Sequence, residues 1–146
     1  MDWKNLLTTL FLVSSLCSIS NGQQVREVIL GGYNQVPAVV THGTGTVEVN
    51  LQSDTLIVSG HFRDLVGTYS TAGIHYGGEK ESGNRLFRLV PELDEELKSG
   101  EFSADENRFF LPASVKEALR EGKLYINIVT RRHQRGEIRG QIPPMM

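Results

Sequence analysis

The residues near the C-terminus carry the side chains best suited to chemistry. Residues 130–142 read TRRHQRGEIRGQI, in which Arg131, Arg132 and Arg135 surround His133. Guanidinium groups make charge-assisted hydrogen bonds that suit sulfate and phosphate, although a short charged run can equally be a solvated turn. These arginines therefore indicate either a site for a sulfated glycan or a loop that faces water.

The histidines offer a second chemistry, the binding of a transition metal. Imidazole nitrogens are common ligands of zinc and copper. His75 and His133 are the candidate ligands, with His61 as a potential neighbour. Two imidazoles would hold such an ion only if a carboxylate and a water completed the shell. The alternative is that each histidine is packed in the interior or lies at the surface.

Acidic side chains are concentrated in the middle of the chain. Hard cations such as calcium prefer carboxylate oxygens, but the spacing does not match an EF-hand loop. Acids in the first turn of a helix would also complement its dipole. Weak binding of calcium or of mineral is compatible with this composition. The acidic residues concerned are Glu79, Glu81, Glu92, Asp94, Glu95, Glu96, Glu101, Asp105 and Glu106.

The motifs of common enzymes and nucleic-acid-binding domains are missing from the sequence. There is no Gly-x-Ser-x-Gly elbow, and residues 77–83, GGEKESG, lack the spacing of a phosphate-binding loop. The formal net charge is −2, whereas nucleic-acid-binding domains are usually strongly basic. We therefore expect a protein that is not an enzyme, needs no cofactor and does not bind nucleic acid.

The N-terminal residues predict a secreted protein. Residues 6–19 form an uncharged apolar run after a short polar start, and small residues follow at Ser20 and Gly22, which is the pattern of a signal peptide. The run is shorter than the about 20 residues that a membrane span requires. We expect residues 1–22 to be removed together with the sole cysteine, Cys17. The mature protein would then begin at Gln23 and contact no membrane.

Most of the remaining chain alternates apolar and polar residues over short segments, which is the pattern of β-strands. Residues 44–51 and 55–62, separated by QSD, predict a hairpin, and residues 123–130 predict the strongest strand. Residues 23–146 thus predict a single all-β domain, an antiparallel Greek-key sandwich or barrel.

Two short helical turns are expected to interrupt the strands. The first would begin at Pro91 and the second at Pro112, because proline is favoured in the first turn of a helix. Ser114 and Glu117 have the spacing of a capping box in the second turn.

The last strand is predicted for residues 136–142. Its alternation would place Glu137, Arg139 and Gln141 on one face, and Ile138 and Ile142 on the other. We expect Glu137 and Arg139 to bond to neighbouring strands and lock an edge of the sheet.

Short motifs follow one another in a distinctive order along the chain. The positions that carry them are Gln35, Val36, Pro37, His75, Asn127, Gly136, Glu137, Arg139 and Gly140. Their order resembles that of the CHRD domain, found in chordin and in many secreted bacterial and animal proteins. The similarity runs roughly from residue 28 to residue 142 and implies an immunoglobulin-like or superoxide-dismutase-like β-sandwich or barrel in an extracellular protein.

The resemblance also bears on the metal hypothesis. CHRD domains often carry His-x-His where this chain has Gly73-Ile74-His75, and a further histidine where it has Val129. That arrangement is similar to the histidine strand of copper/zinc superoxide dismutases. Because Gly73 and Val129 offer no ligand, the chain departs from this pattern.

The function that the resemblance implies is binding without catalysis. We expect a secreted structural or binding component of extracellular matrix, including a matrix laid down with mineral. Its partner would be an extracellular protein or matrix component, with sulfated glycan and mineral as further candidates. A growth-factor-binding module is one alternative, because chordin binds growth factors of the bone-morphogenetic type. A dismutase-like metal-binding protein is another.

Overall fold

The structure is a computed structural model that describes residues 22–146. The expected signal peptide, residues 1–22, falls almost wholly outside the described residues. Within residues 22–146, no helix combines the length and the apolar character needed to cross a membrane.

Ten strands, one helix and one 3₁₀ turn make up the described chain. The strands are short because glycine, asparagine, aspartate and serine recur between the alternating segments. In chain order the elements are β1 (Gln24–Gly31), a 3₁₀ turn (Gly32–Asn34), β2 (Thr44–Gln52), β3 (Thr55–Arg63), β4 (Tyr69–Tyr76), β5 (Arg85–Leu89), β6 (Glu92–Leu93), β7 (Gly100–Phe102), β8 (Arg108–Phe110), α1 (Ala113–Arg120), β9 (Leu124–Thr130) and β10 (Ile138–Ile142).

All ten strands belong to one antiparallel sheet. Nine follow the order β5-β4-β9-β10-β1-β2-β3-β7-β6, and β8 pairs with β3 beside β7. The sheet curls into a half-barrel, with its apolar face inside. The prediction of an all-β antiparallel fold is confirmed.

The apolar side chains of the alternating segments fill the inside of the curled sheet. In β2, Val47 and Val49 are completely buried, and Ile126 and Ile128 of β9 are buried in the same core. The predicted hairpin joins β2 to β3 through a turn in which Ser53 has φ of 54°. Each buried aliphatic side chain of this kind contributes about 1.5–3 kcal/mol through removal from water.

The helical turn expected at Pro112 is present as α1. Pro112 itself is the N-cap and makes no side-chain capping bond, so the capping box of Ser114 and Glu117 does not form. Glu117 instead pairs with Arg120 on the exposed side of the helix. Leu119 faces the core and anchors α1 beneath the sheet.

The prediction of a helical turn at Pro91 is wrong. Residues 92–102 form a hairpin in which β6 pairs with β7. The Asp94 carboxylate accepts hydrogen bonds from the backbone N–H groups of Lys98 and Ser99, at 2.9 and 3.1 Å, and Leu97 adopts φ of 59°. A side chain that binds nearby backbone in this way competes with helix formation, and it stabilises the turn of the hairpin here.

Asn107 ties together the two ends of the curled sheet. Its amide nitrogen donates to the carbonyls of Val90, after β5, and Ser103, after β7, both at 3.0 Å. Its amide oxygen accepts the Val90 N–H at 2.7 Å. The side chain is fully buried. Its hydrogen bonds replace strand pairing between the segment after β5 and the segment after β7. The rings of Phe87 and Phe109 stack beside it, 5.0 Å apart.

We predict that Asn107→Ala destabilises the protein by about 3 kcal/mol, because a fully buried side chain loses its hydrogen bonds to Val90 and Ser103. Urea denaturation monitored by far-ultraviolet circular dichroism would measure the change in the free energy of unfolding. Asn50→Ala is the matched control, since the Asn50 side-chain oxygen is already buried without a partner. Equal losses for the two variants would contradict the closing role of Asn107.

Candidate functional site

The outer face of the central strands is covered rather than open to solvent. Alternation points Tyr125, Asn127 and Arg139 away from the core, yet they are only 3%, 4% and 2% exposed. Two loops lie over them. The first, residues 32–39, follows β1, and the second, residues 77–84, joins β4 to β5. A second, polar interior therefore exists on the outside of the sheet.

A stack of three side chains runs across strands β4, β9 and β10. The ring of Tyr125, on the middle strand, lies 5.1 Å from the ring of His75 and stacks on it. The Arg139 guanidinium carbon lies 3.5 Å from the centre of the Tyr125 ring, which is a cation–π contact. Tyr125 thus holds Arg139 in place through the face of its ring.

His75 is held by the second loop. Its Nδ1 lies 3.0 Å from the Gly83 carbonyl oxygen, and because a carbonyl only accepts, Nδ1 carries the proton. Burial lowers the pKa of His75, and the nearby Arg85 and Arg139 lower it further, against the opposing effect of the Gly83 carbonyl. At neutral pH the ring is therefore neutral, with the Nε2 lone pair free.

The first loop is fixed by amide side chains. Gln35 donates from Nε2 to the Asn127 side-chain oxygen at 2.8 Å, and Asn127 donates to the Arg135 carbonyl at 3.0 Å. Asn34 donates to the Arg139 carbonyl at 2.9 Å. Gly136 has φ of 132°, and a Cβ there would collide with the side chains of Asn127 and Gln35, so only glycine fits. The Val36–Pro37 peptide bond beside this network is cis.

The second loop is held by strand side chains that donate hydrogen bonds to its backbone carbonyl groups. Arg139 donates from Nη2 to the Gly78 carbonyl at 2.7 Å, and Gln141 donates to the Gly77 carbonyl at 2.9 Å. The Gly83 N–H donates to the Tyr125 hydroxyl at 3.1 Å. Side chains of β9 and β10 therefore position both loops.

Two clefts meet at Arg139. The first, of about 460 Å³, we call the His75 cleft; it is lined by Gln35, Val36, His75, Ser82, Gly83, Asn84, Tyr125, Asn127, Val129, Gln134, Arg135 and Arg139. The second, of about 380 Å³, we call the Tyr33 cleft; it is lined by Tyr33, Asn34, Gln35, Val36, Pro37, Ala38, Glu79, Lys80, Arg139 and Gln141. The His75 cleft is the candidate functional site.

A model of the CHRD domain matches residues 26–142. The chain belongs to the CHRD-domain family. Comparisons with curated proteins and with solved structures gave no significant match. CHRD domains are binding-type modules of extracellular proteins, and most of the family motif positions of this chain lie around the clefts.

The motif residue Glu137 serves a different purpose. Its carboxylate is completely buried and accepts hydrogen bonds from the N–H groups of Val66 and Gly67, at 2.7 and 2.8 Å, and from the hydroxyls of Thr41 and Thr130, at 2.9 and 3.1 Å. Burial acts to raise the pKa of Glu137, but these four hydrogen bonds outweigh it, so the pKa is lowered. Glu137 joins the connections before β2 and before β4 to strand β9.

The expectation that Glu137 and Arg139 lock a sheet edge is wrong. Strand β10 lies between β9 and β1 in the interior of the sheet. Arg139 and Gln141 do face outward, and Ile138 and Ile142 are buried in the core. Glu137 precedes the strand and binds connecting segments. Gly140 packs against the backbone of Ile29 in β1, where a side chain would not fit.

The candidate metal ligands lie at different places. His75 lines the His75 cleft, whereas His133 lines a separate cleft beside Pro37, and His61 lies on β3 opposite Glu101 of β7. Within residues 22–146, no group of three or more histidine, cysteine, aspartate or glutamate side chains is placed to hold a metal ion. Zinc or copper binding at His75 and His133, and calcium binding by the acidic residues, stay predictions.

Position 73 has no room for a side chain. A Cβ at Gly73 would collide with the methylene carbons of Arg85 and with the Phe87 carbonyl oxygen. The Arg85 guanidinium donates to the Thr71 hydroxyl at 2.9 Å.

Sequence reasoning missed the role of Tyr125 and the covering position of loop 77–84. It placed Gln141 on the same face as Arg139 but did not predict that Gln141 holds this loop. The only signal is that the outward positions of β9 and β10 hold large side chains able to make directed contacts, next to glycine-rich segments.

We predict that Glu137→Gln destabilises the protein by about 2–4 kcal/mol at neutral pH. The amide has one accepting oxygen, so either the Val66 or the Gly67 N–H loses its partner whichever way the amide points. The threonine hydroxyls can rotate, but backbone N–H groups cannot. Chemical denaturation at pH 7 would measure the loss, with the exposed Glu48→Gln on β2 as the matched control.

The same variant should change the response to acid. Because the pKa of Glu137 is lowered on folding, its contribution is complete above the pKa of an unfolded glutamate, about 4.3. It is lost as the pH falls through the lower folded pKa. The stability gap between the wild type and Glu137→Gln should therefore narrow in acid. A gap that stays constant down to about pH 2 would show that the carboxylate is not the group responsible.

Proposed function

We propose that the protein is a secreted, non-catalytic component of extracellular matrix that binds its partner through the His75 cleft. The family supports an extracellular binding module. The finer assignment, to matrix and to matrix laid down with mineral, is our hypothesis, and the many carboxylates of the chain, which suit calcium and mineral, support it.

The observation that carries the proposal is the fixed shape of the His75 cleft. The Gln35–Asn127 bond and the contacts of Gly83 hold the two loops on a rigid sheet. Binding sites are commonly built from loops on such a scaffold. A cleft that is already shaped before binding loses little conformational entropy when a ligand enters.

The chemistry of the cleft supports binding. Its side chains are chiefly amides, a neutral imidazole and guanidinium groups, which donate and accept hydrogen bonds. The amides of Gln35 and Asn127 already bind each other and the backbone, so their role is to keep the cleft open. The growth-factor-binding and dismutase-like alternatives stay predictions.

Expression of the full chain in a secretory host tests the location. We predict that the protein reaches the medium or the deposited matrix and that its first residue is Gln23, since residues 1–22 have the pattern of a signal peptide. N-terminal sequencing and fractionation into cells, medium and salt-extracted matrix would measure this. A chain without residues 2–22 is the control and should stay in the cells.

Retention of the full chain inside the cells with Met1 intact would contradict the proposal. Secretion into the medium with no retention in a matrix deposited by the same cells would contradict the matrix assignment, but not secretion.

A further inference from the structure

We propose that Arg139 is the anion-binding centre of the His75 cleft and that it receives a sulfate or carboxylate group of an acidic glycan chain. This inference rests on the proposed function and names the chemical class of the ligand. The contacts of Arg139, and the arginines around it, carry the argument.

The charge of Arg139 has no counter-ion within the described chain. Ion pairs in residues 22–146 involve Arg63, Lys116, Arg120 and Lys123, and no carboxylate lies within 4.0 Å of Arg139. The side chain is 2% exposed. A guanidinium buried to this degree is normally paired with an acid, because removal of a charge from water is unfavourable. An anionic group of a ligand would supply the missing counter-ion.

Part of the guanidinium is free to bind. Nη2 donates to the Gly78 carbonyl at 2.7 Å and lies 3.5 Å from the Gln141 side-chain oxygen. Nε and Nη1 make no hydrogen bond to residues 22–146. Among residues 22–146, the polar side-chain atoms that are buried from solvent and lack a hydrogen-bond partner are Asn50 Oδ1 and the Tyr69 hydroxyl. Nε and Nη1 of Arg139 are not among them. Arg139 lines both clefts, so these donors lie at the cleft walls rather than sealed in the core.

The anion is expected on the side of the His75 cleft. The charged side chains of the Tyr33 cleft besides Arg139 are Glu79 and Lys80, whose charges oppose each other. The charged side chains of the His75 cleft are Arg139 and the exposed Arg135, and no carboxylate of residues 22–146 lines it. Both of these charges attract an entering anion.

Further arginines extend the positive surface beyond the cleft. Arg85 and Arg88 are exposed on the neighbouring strand β5, opposite His75 and Gly73. Neither belongs to an ion pair in the described part of the chain. A row of cations beside one anchoring guanidinium suits a ligand with repeated anionic groups, as found in sulfated or uronate-containing glycans.

The lining of the cleft favours a glycan over an acidic peptide. Protein ligands usually gain most of their affinity from aromatic or aliphatic anchors in apolar pockets. The one aromatic ring in the cleft, Tyr125, is covered by His75 and Arg139. Amide side chains such as Asn84 and Gln134 instead offer hydrogen-bond partners to sugar hydroxyl groups.

Binding of defined probes to the secreted protein tests the proposal. The probes are a short heparin oligosaccharide, the same oligosaccharide after desulfation, a neutral chitin oligosaccharide and an oligo-aspartate peptide, each followed by fluorescence anisotropy. We expect the sulfated probe to bind and the neutral probe not to bind. Movement of the Gly83 amide signal in NMR spectra would place the ligand in the His75 cleft.

Three variants distinguish specific binding in the His75 cleft from non-specific electrostatic attraction between the probe and the protein surface. Arg139→Lys keeps the charge but loses the guanidinium fork, and should weaken binding about tenfold. Arg135→Gln lies on the exposed rim, is expected to fold normally and should weaken binding about threefold. Arg108→Gln, exposed on β8 and absent from the lining of both clefts, should leave binding unchanged. Circular dichroism would confirm folding of each variant.

Several outcomes would overturn the inference. These are equal weakening by all three variants, binding of the oligo-aspartate alone, and binding of the neutral probe as tightly as the sulfated one. Equal binding of the desulfated probe would support it and identify a carboxylate as the anion. A protein that is secreted into matrix but binds no probe refutes this inference alone. A protein retained in cells refutes the proposed function alone.

Discussion

The fold depends on one buried carboxylate. Glu137 lies before the interior strand β10 and binds three separate parts of the chain: Thr41 before β2, the Val66–Gly67 backbone before β4, and Thr130 at the end of β9. Burial of a charge is unfavourable by several kcal/mol, and here four neutral donors offset it. Because a carboxylate accepts at every lone pair, no neutral side chain of the same size can replace it.

Arg139, two residues further, is buried in a different way. Only one of its nitrogen atoms makes a short hydrogen bond, to Gly78, and the ring of Tyr125 supports its plane. The two charges are not paired with each other, since each binds its own surroundings. A fold that needed only stability would gain from a paired or apolar residue at position 139. The incomplete satisfaction of Arg139 is therefore better explained by binding than by packing.

Much of the fold could be predicted from local pattern. Strict alternation in β2 and β9 predicted the buried valines and isoleucines, because burial on one face of a sheet imposes a period of two. The same rule failed on the other face. It predicts that Tyr125 and Arg139 are exposed, and it contains no information about loops that fold back over them. Asp94 misled for a related reason, since an acid after proline suits a helix start as well as a hairpin turn.

The candidate site could be predicted only as a set of motif positions. The motifs identified Gln35, Asn127 and Gly136, but the hydrogen bond between Gln35 and Asn127 joins residues 92 positions apart, and a single sequence does not show such pairs. The net charge was also an incomplete guide. A value of −2 rules against a uniformly basic surface, yet it averages over acidic and basic surfaces of the same domain.

Acidic and basic side chains lie on different surfaces of the curled sheet. Acidic residues gather on the β6–β7 hairpin, including Glu92 and Glu101, which pair across it. Arginines gather over β4, β5 and the β9–β10 connection. An anionic chain would be attracted to the arginines and repelled from the hairpin. Because the curl brings the end of β5 close to the residues after β7, this contrast in charge acts over a short distance and would fix the position of such a chain on the domain.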